Sequence, residues 1–328
     1  MKFFKFILIA IFALIIIGYG TWFSIALFYQ GFLPLKWLLI GLWSLFALFC
    51  LLGVFKAAGR TRSILSFLIA MVLSLGWWTF GITPKLNRDW KPEVARTVTA
   101  DIDGSLITLN NVRNFDWTTS DDFVEKWEDR TYDLDQLESI DLFASHWGSE
   151  AISHSIMSFR FTDGERIAFS VEIRKEQHES FSTIGGFFKQ YELAIIAADE
   201  NDIIRVRTNA RDPIEDVYLY PLKTTMERRK ALFLGYIEKA NADAKKARFY
   251  NTITANCTTV VYTLIKSYRD TVPLDWRILA SGYLPDLLSE MDELNWMKPH
   301  GDIRARAAIT DKAQGILAGQ NYSELIRK

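Results

Sequence analysis

The chain has 328 residues, with 38 Lys and Arg against 39 Asp and Glu, a balance that argues for neither a nucleic acid nor a polyanionic partner. Hydrophobic residues make up 49% and charged ones 23%, and nearly all of the apolar excess lies before Pro84. That division excludes a wholly soluble protein, a disordered or collagen-like chain and a disulfide-stapled mini-domain, and leaves a membrane anchor followed by a soluble domain large enough for one core.

Residues 6–29 run without a charge, 35–55 carry only Lys36 at their edge, and 64–82 form a third apolar stretch. At about 1.5 Å per residue, each is long enough to cross ~30 Å of hydrocarbon. Lys2 and Lys5 also suit a cleaved signal peptide, but the apolar run is too long for one and no A-x-A site follows, so a retained helix is expected. Lys2 and Lys5 precede the first span, Lys56, Arg60 and Arg62 lie between the second and third, and only Lys36 lies between the first and second. By the positive-inside rule the amino terminus is cytoplasmic and everything after Pro84 lies outside, in the periplasm of a Gram-negative cell, with the spans in the inner membrane. Trp77, Trp78 and Trp90 are then expected at the outer interface. No ionisable side chain sits at a span centre, which argues against transport through the helices.

The organisation that follows is an anchor at 1–83, a polar linker and lead-in at 84–122 and an extracytoplasmic domain at 123–328, with a short strand or two expected within 97–109. A hairpin is expected from strands at 152–161 and 166–174 joined at Thr162-Asp163-Gly164-Glu165, since Ile167, Phe169, Val171 and Ile173 alternate. Further strands are expected at 188–199, 203–208 and 217–222, then a basic helix at 224–248. Val260, Val261, Leu264 and Ile265 recur at helical spacing and predict a helix from Asn256 through Ser267. Strands first with helices flanking them indicate an α+β fold.

Of the two cysteines, Cys50 lies inside a span and Cys257 in the soluble domain, so they cannot pair within one chain. A lone thiol is most simply a small buried hydrophobe. Cys257, however, sits at the predicted start of a helix, where unpaired N–H groups and the dipole lower a thiol pKa and offer donors to an oxyanion. Its natural partner is an imidazole. His154 is the best candidate because it lies on a predicted strand, whereas His146 precedes the hairpin, His178 follows it among charges and His300 is in a late loop. A strand histidine with a helix-start cysteine is the layout of papain-like folds, including permuted forms in which His comes first.

A third group should orient the imidazole. Glu172 is the candidate and register decides it: a two-residue turn at Asp163-Gly164 sets His154 opposite Ile173, while a three-residue loop or a bulge brings Glu172 opposite His154. Glu192 is the fallback, and either carboxylate could instead be solvated or paired with Arg174 or Arg205. No C-x-x-C, H-E-x-x-H or clustered carboxylate pattern points to a metal, and Gly185-Gly186 is not a phosphate loop, so no cofactor is expected. The run Arg228, Arg229, Lys230, Lys239, Lys245, Lys246 and Arg248 suits anionic headgroups, although such runs are usually solvated faces.

Several stretches together resemble one family, that of the Lnb N-terminal periplasmic domain. They are Asp141-Leu-Phe-Ala-Ser-His-Trp-Gly-Ser149, Ile152-Ser-His-Ser155 running into Ser158-Phe159, and Ser170-Val-Glu-Ile-Arg-Lys-Glu176. Gln190-Tyr-Glu192, Ile204-Arg-Val-Arg-Thr-Asn209, Asp216-Val-Tyr-Leu-Tyr-Pro221, Tyr250-Asn251 and Asn256-Cys-Thr-Thr259 continue the match, with later echoes at Gly282-Tyr-Leu284 and Ile303-Arg-Ala-Arg-Ala307. The three transmembrane helices are not part of that domain, for which the resemblance implies a permuted papain-like (NlpC/P60-like) antiparallel sheet with packed helices. It also implies a thiol-dependent lipoprotein N-acyltransferase that takes its chain from a phospholipid acyl donor and passes it to a diacylglyceryl lipoprotein acceptor at the membrane. Cys257 then matches the family's cysteine and His154 its histidine, with the N–H of Cys257 and Asn256 as oxyanion donors. Two rivals stand beside this reading: a cysteine peptidase or amidase acting on cell-wall peptide, and a non-catalytic membrane-tethered binding domain with Cys257 merely buried.

Overall fold

The computed structural model describes residues 2–31, 34–268, 272–296, 302–317 and 319–328. They form two compact units: Met1–Pro84 with Phe181–Tyr191, and Lys85–Ser180 with Glu192–Lys328.

The first unit is built on α1 (Lys2–Gln30), α2 (Lys36–Phe55) and α3 (Arg60–Gly76), the last continued by a wide turn at Trp77–Gly81. All three are long and apolar enough to cross a membrane. Polar groups within them find partners inside the bundle, as hydrocarbon surroundings require. Tyr19 Oη meets Ser74 Oγ at 2.7 Å, and Trp43 Nε1 donates to Gly20 O at 3.0 Å. Ile16, Cys50, Val54 and Phe67 are buried among the helices, which accounts for Cys50. Phe181–Tyr191 packs here too: the Phe188 ring stacks on Tyr29 with centroids 5.7 Å apart, and Gln30 Nε2 donates to the carbonyls of Phe188 and Lys189 at 2.8 Å. The strand expected at 188–199 therefore starts only at Glu192, because the four residues before it are turned aside, with Lys189 at φ 56°.

The second unit is an α+β fold around a large sheet. Its strands are β1 (Thr99–Asp103), β2 (Leu106–Arg113), the short pair β3 (Asp116–Trp117) and β4 (Phe123–Val124), β5 (Trp127–Asp133), β6 (Leu137–His146), β7 (Ser153–Phe161), β8 (Arg166–Arg174), β9 (Glu192–Ala198) and β10 (Asp216–Pro221). The sheet order is β1-β2-β9-β8-β7-β6-β10, with β5 also on β2. It is mixed rather than wholly antiparallel: β9 runs parallel to β2, joined only at Arg113 and Ala198. Strands so far apart in the chain are free of the hairpin constraint that makes β1–β2 and β7–β8 antiparallel. Within the expected linker and lead-in, residues 85–122 carry β1 to β3 and belong to this unit. Trp90, expected at the membrane interface, is buried here beneath the Arg174 guanidinium, 4.5 Å from its ring.

Helices cover both faces, which is why β9 is buried at every position. On one face α5 (Met226–Lys245) and α6 (Cys257–Tyr268) pack against Ile167, Phe169 and Val171 of β8, with the Phe233 ring edge-on to Phe159 and Phe169. On the other, α4 (Glu200–Ile203) together with Ile309, Ala313, Ile316, Tyr322 and Ile326 packs against Phe143, Ile156 and Ala168. The strand expected at 203–208 is instead helical, α4 passing into a wide turn at Val206–Ala210. Asp199 caps it by accepting from Asn201 N at 2.9 Å, and the less buried positions are 201, 205 and 209, a helical rather than an alternating period. The buried Arg113–Asp202 pair, bidentate at 2.9 Å, holds the end of β2 against α4, and Phe115 N and Trp117 Nε1 also donate to Asp202.

Candidate active site

Cys257 is the first residue of α6. Asn256 caps the helix, its Oδ1 accepting from Thr258 N at 2.9 Å and Thr259 N at 2.8 Å. The backbone N–H of Asn256 is taken by Thr259 Oγ1 at 2.9 Å and its Nδ2 donates to Thr252 O at 2.7 Å. Of the donors of Asn256, the backbone N–H and one hydrogen of Nδ2 are thus engaged, which leaves the second Nδ2 hydrogen for the oxyanion role expected of it. The N–H of Cys257, ahead of the intrahelical ladder, remains the natural donor. Asn256→Ala is expected to cost about 1 kcal/mol of stability, measured by urea denaturation, because it deletes this cap.

The thiol and the imidazole meet. His154 on β7 interacts electrostatically with the sulfur of Cys257, which lies 3.8 Å from Thr258 Oγ1. On its other side, His154 Nε2 is 2.6 Å from Ser170 Oγ and 3.1 Å from Glu172 Oε1, and Ser170 Oγ donates to the same carboxylate oxygen at 2.7 Å. With Nε2 carrying its hydrogen toward β8, Nδ1 is the nitrogen left for the sulfur.

Register explains how Glu172 reaches this position. Phe161 N donates to Glu165 O and Gly164 N to Phe161 O, so residues 162–164 form a three-residue loop with Gly164 at φ 93°. The ladder then pairs Ile156 with Ser170, and two residues further on, where the strands splay, His154 falls opposite Glu172. Glu192 is elsewhere: it accepts from Lys85 N at 2.9 Å and pairs with Arg88 at 3.1 Å, with burial pushing its carboxyl up.

Neither Arg174 nor Arg205 pairs with Glu172 as one reading expected. Arg174 donates to the carbonyls of Val94 and Ala95, and Arg205 to Asn201. The cation is Arg207, unexpected from the sequence, whose buried guanidinium lies 3.1 Å from Glu172 Oε1 and 3.8 Å from Glu215 Oε2. Glu215 in turn bonds Ser145 and Arg211. Arg207 and Ser170 both lie within stretches that carried the family resemblance, which was the available signal.

These contacts set the protonation of the pair. Burial alone would pull the His154 imidazole down, but the Glu172 carboxylate and the Cys257 sulfur outweigh it and push it up to about 9. Burial would raise the Cys257 thiol, yet His154 lowers it, so thiolate and imidazolium favour each other. For Glu172, burial is overcome by His154 and then Arg207, which hold its carboxyl well below the ordinary value. The other histidines stand apart: His146 is buried against Tyr218 and lowered by burial and Arg304, His178 is exposed, and His300 lies outside the described residues.

Residues 123–282 match the family model described as the Lnb N-terminal periplasmic domain, a span that contains every member of this site. No curated protein and no solved structure matches the chain.

Proposed function

Because residues 123–282 belong to the Lnb N-terminal periplasmic domain family, we propose that this membrane-anchored periplasmic protein is a thiol acyltransferase that N-acylates lipoproteins from phospholipid. The observation that carries the reading is the contact chain Cys257, His154, Glu172, in which a helix-start sulfur meets a strand imidazole held by a carboxylate on the next strand. A permuted papain-like fold is part of the same proposal, as are an inner-membrane location and a cytoplasmic amino terminus.

In the first half-reaction the Cys257 thiolate attacks an ester carbonyl of the donor phospholipid. The C–S bond forms, the oxyanion is held by the N–H of Cys257, and the ester C–O bond breaks as the His154 imidazolium gives its proton to the departing lysophospholipid oxygen. The result is an acyl thioester and a neutral imidazole. In the second, the α-amine of a diacylglyceryl-cysteine lipoprotein attacks the thioester. His154 takes the amine proton, the C–N bond forms and the C–S bond breaks, which restores the thiolate–imidazolium pair. Glu172, Ser170 and Arg207 keep the ring oriented throughout. Tethering to the bilayer raises the effective concentration of both lipid substrates.

The test is intact mass spectrometry of the full chain reconstituted with phospholipid. The expected result is one added acyl chain, released by hydroxylamine and transferred to a diacylglyceryl-cysteine peptide. An unmodified mass, with cleavage of cell-wall peptide in its place, would overturn the proposal in favour of a peptidase.

A further inference from the structure

Beside the thiol lies an apolar cleft with ≈ 860 Å³ of empty space, its open mouth included. Leu142 and Met157 of the sheet, Leu232 of α5, Val261 and Ile265 of α6 and Leu288 of α7 (Leu284–Glu290) furnish its walls, all from the second unit. Thr258 joins it to the site: this buried residue lines the cleft, and its Oγ1 lies 3.8 Å from the sulfur. Arg228 and Glu293, 4.0 Å apart, are the charged side chains on its lining.

We infer that this cleft receives the hydrocarbon chain carried on Cys257, and so measures the length of the acyl group transferred. The inference rests on the acyltransferase reading and names its substrate subsite. An apolar cavity stays dry and takes apolar guests. Most of the lining offers no donor or acceptor, so a cell-wall peptide would leave its amides unpaired there, whereas a saturated chain has none to pair. The chain threads past Thr258 from the thioester carbon, and the same walls keep water from the thioester.

Two substitutions narrow the cleft without touching the chemistry, Ile265→Trp and Leu288→Trp, both at half-buried positions. With donors of increasing length, acylation of the wild-type protein is expected to gain up to ~4-fold per added methylene until the cleft is full. Each Trp variant should reach its optimum several carbons earlier, and alkylation of Cys257 by iodoacetamide checks that the thiol remains accessible in the folded variant. The same chain-length profile in folded variants would overturn the inference. A binding arm separates it from the acyltransferase reading. In Cys257→Ala protein, a fatty acid with a fluorescent polyene chain should bind, and adding Ile265→Trp should weaken it at least ten-fold. Equal binding sinks the cleft, whereas weakened binding without any acylation of the wild type sinks the proposed activity and leaves the cleft standing.

Discussion

Alanine at His154 is expected to slow acyl transfer by about a thousand-fold or more, since removing one member of a nucleophile–base pair leaves only binding and oxyanion stabilisation. The same variant separates activation from folding. Without the imidazole, burial pushes the Cys257 thiol up with its main counterweight gone, so the thiolate fraction falls and alkylation by iodoacetamide should drop by about ten-fold or more. An unchanged alkylation rate would mean that His154 does not activate the sulfur. The pH profile carries a second reading. His154 titrates at about 9 in the folded protein, so transfer declines as the pH rises through that value and the leaving group loses its acid. Glu172→Gln removes the first of the two charges that overcome burial, and the alkaline limb should move to lower pH.

Methionine at Arg207 should destabilise the second unit by about 3–5 kcal/mol, the cost of breaking a buried ion pair from one side. Its guanidinium is 3% exposed and stands between Glu172 and Glu215, which would face each other unscreened without it. Burial and Arg211 pull Arg207 down, but a guanidinium keeps its charge at physiological pH, so the carboxylates report the interaction. Both carboxyls are held low against the opposing effect of burial, Glu172 by His154 and Arg207, and Glu215 by Arg207 and Arg211. The stability they contribute is complete above their unfolded pKa of about 4.3 and drains away as the pH falls through their lower folded values. Urea midpoints measured from pH 7 down to 3 check this: Arg207→Met should be weaker at neutral pH but lose less on acidification, so that its curve and that of the wild type converge toward pH 3. Adding Glu215→Gln should recover part of the loss, and a midpoint like that of the wild type would show the pair to be dispensable.

What can be read from the amino acids depends on how local the determining contacts are. The three spans follow from composition alone, and the β7–β8 hairpin from alternation around a turn rich in Asp and Gly. The start of α6 is legible because Asn256 precedes a helical stripe. Glu172 is the instructive middle case: the residues allow two registers, and the choice rests on the left-handed backbone of Gly164, which lengthens the turn to three residues and carries the carboxylate across from the imidazole. Arg207 was hidden by an ambiguity of short apolar runs, where Ile203, Ile204 and Val206 satisfy a strand as readily as a helix. The cap at Asp199 and the docking of α4 by Asp202 decide for the helix, and only then does Arg207 reach the site. The parallel pairing of β9 with β2 depends on contacts between distant segments, which no local pattern encodes.

The hydrogen-bonded seating of Phe181–Tyr191 among the membrane helices means that the backbone passes from one unit to the other at three places rather than one. A protease that severs the bond after Pro84 therefore releases nothing: the cut ends part, but the second unit stays moored through the inserted loop. Shedding it as a free fragment takes a second scission or extraction of that loop, and a recombinant fragment begun at Lys85 would carry Phe188 stripped of its aromatic neighbours, a greasy edge prone to self-association.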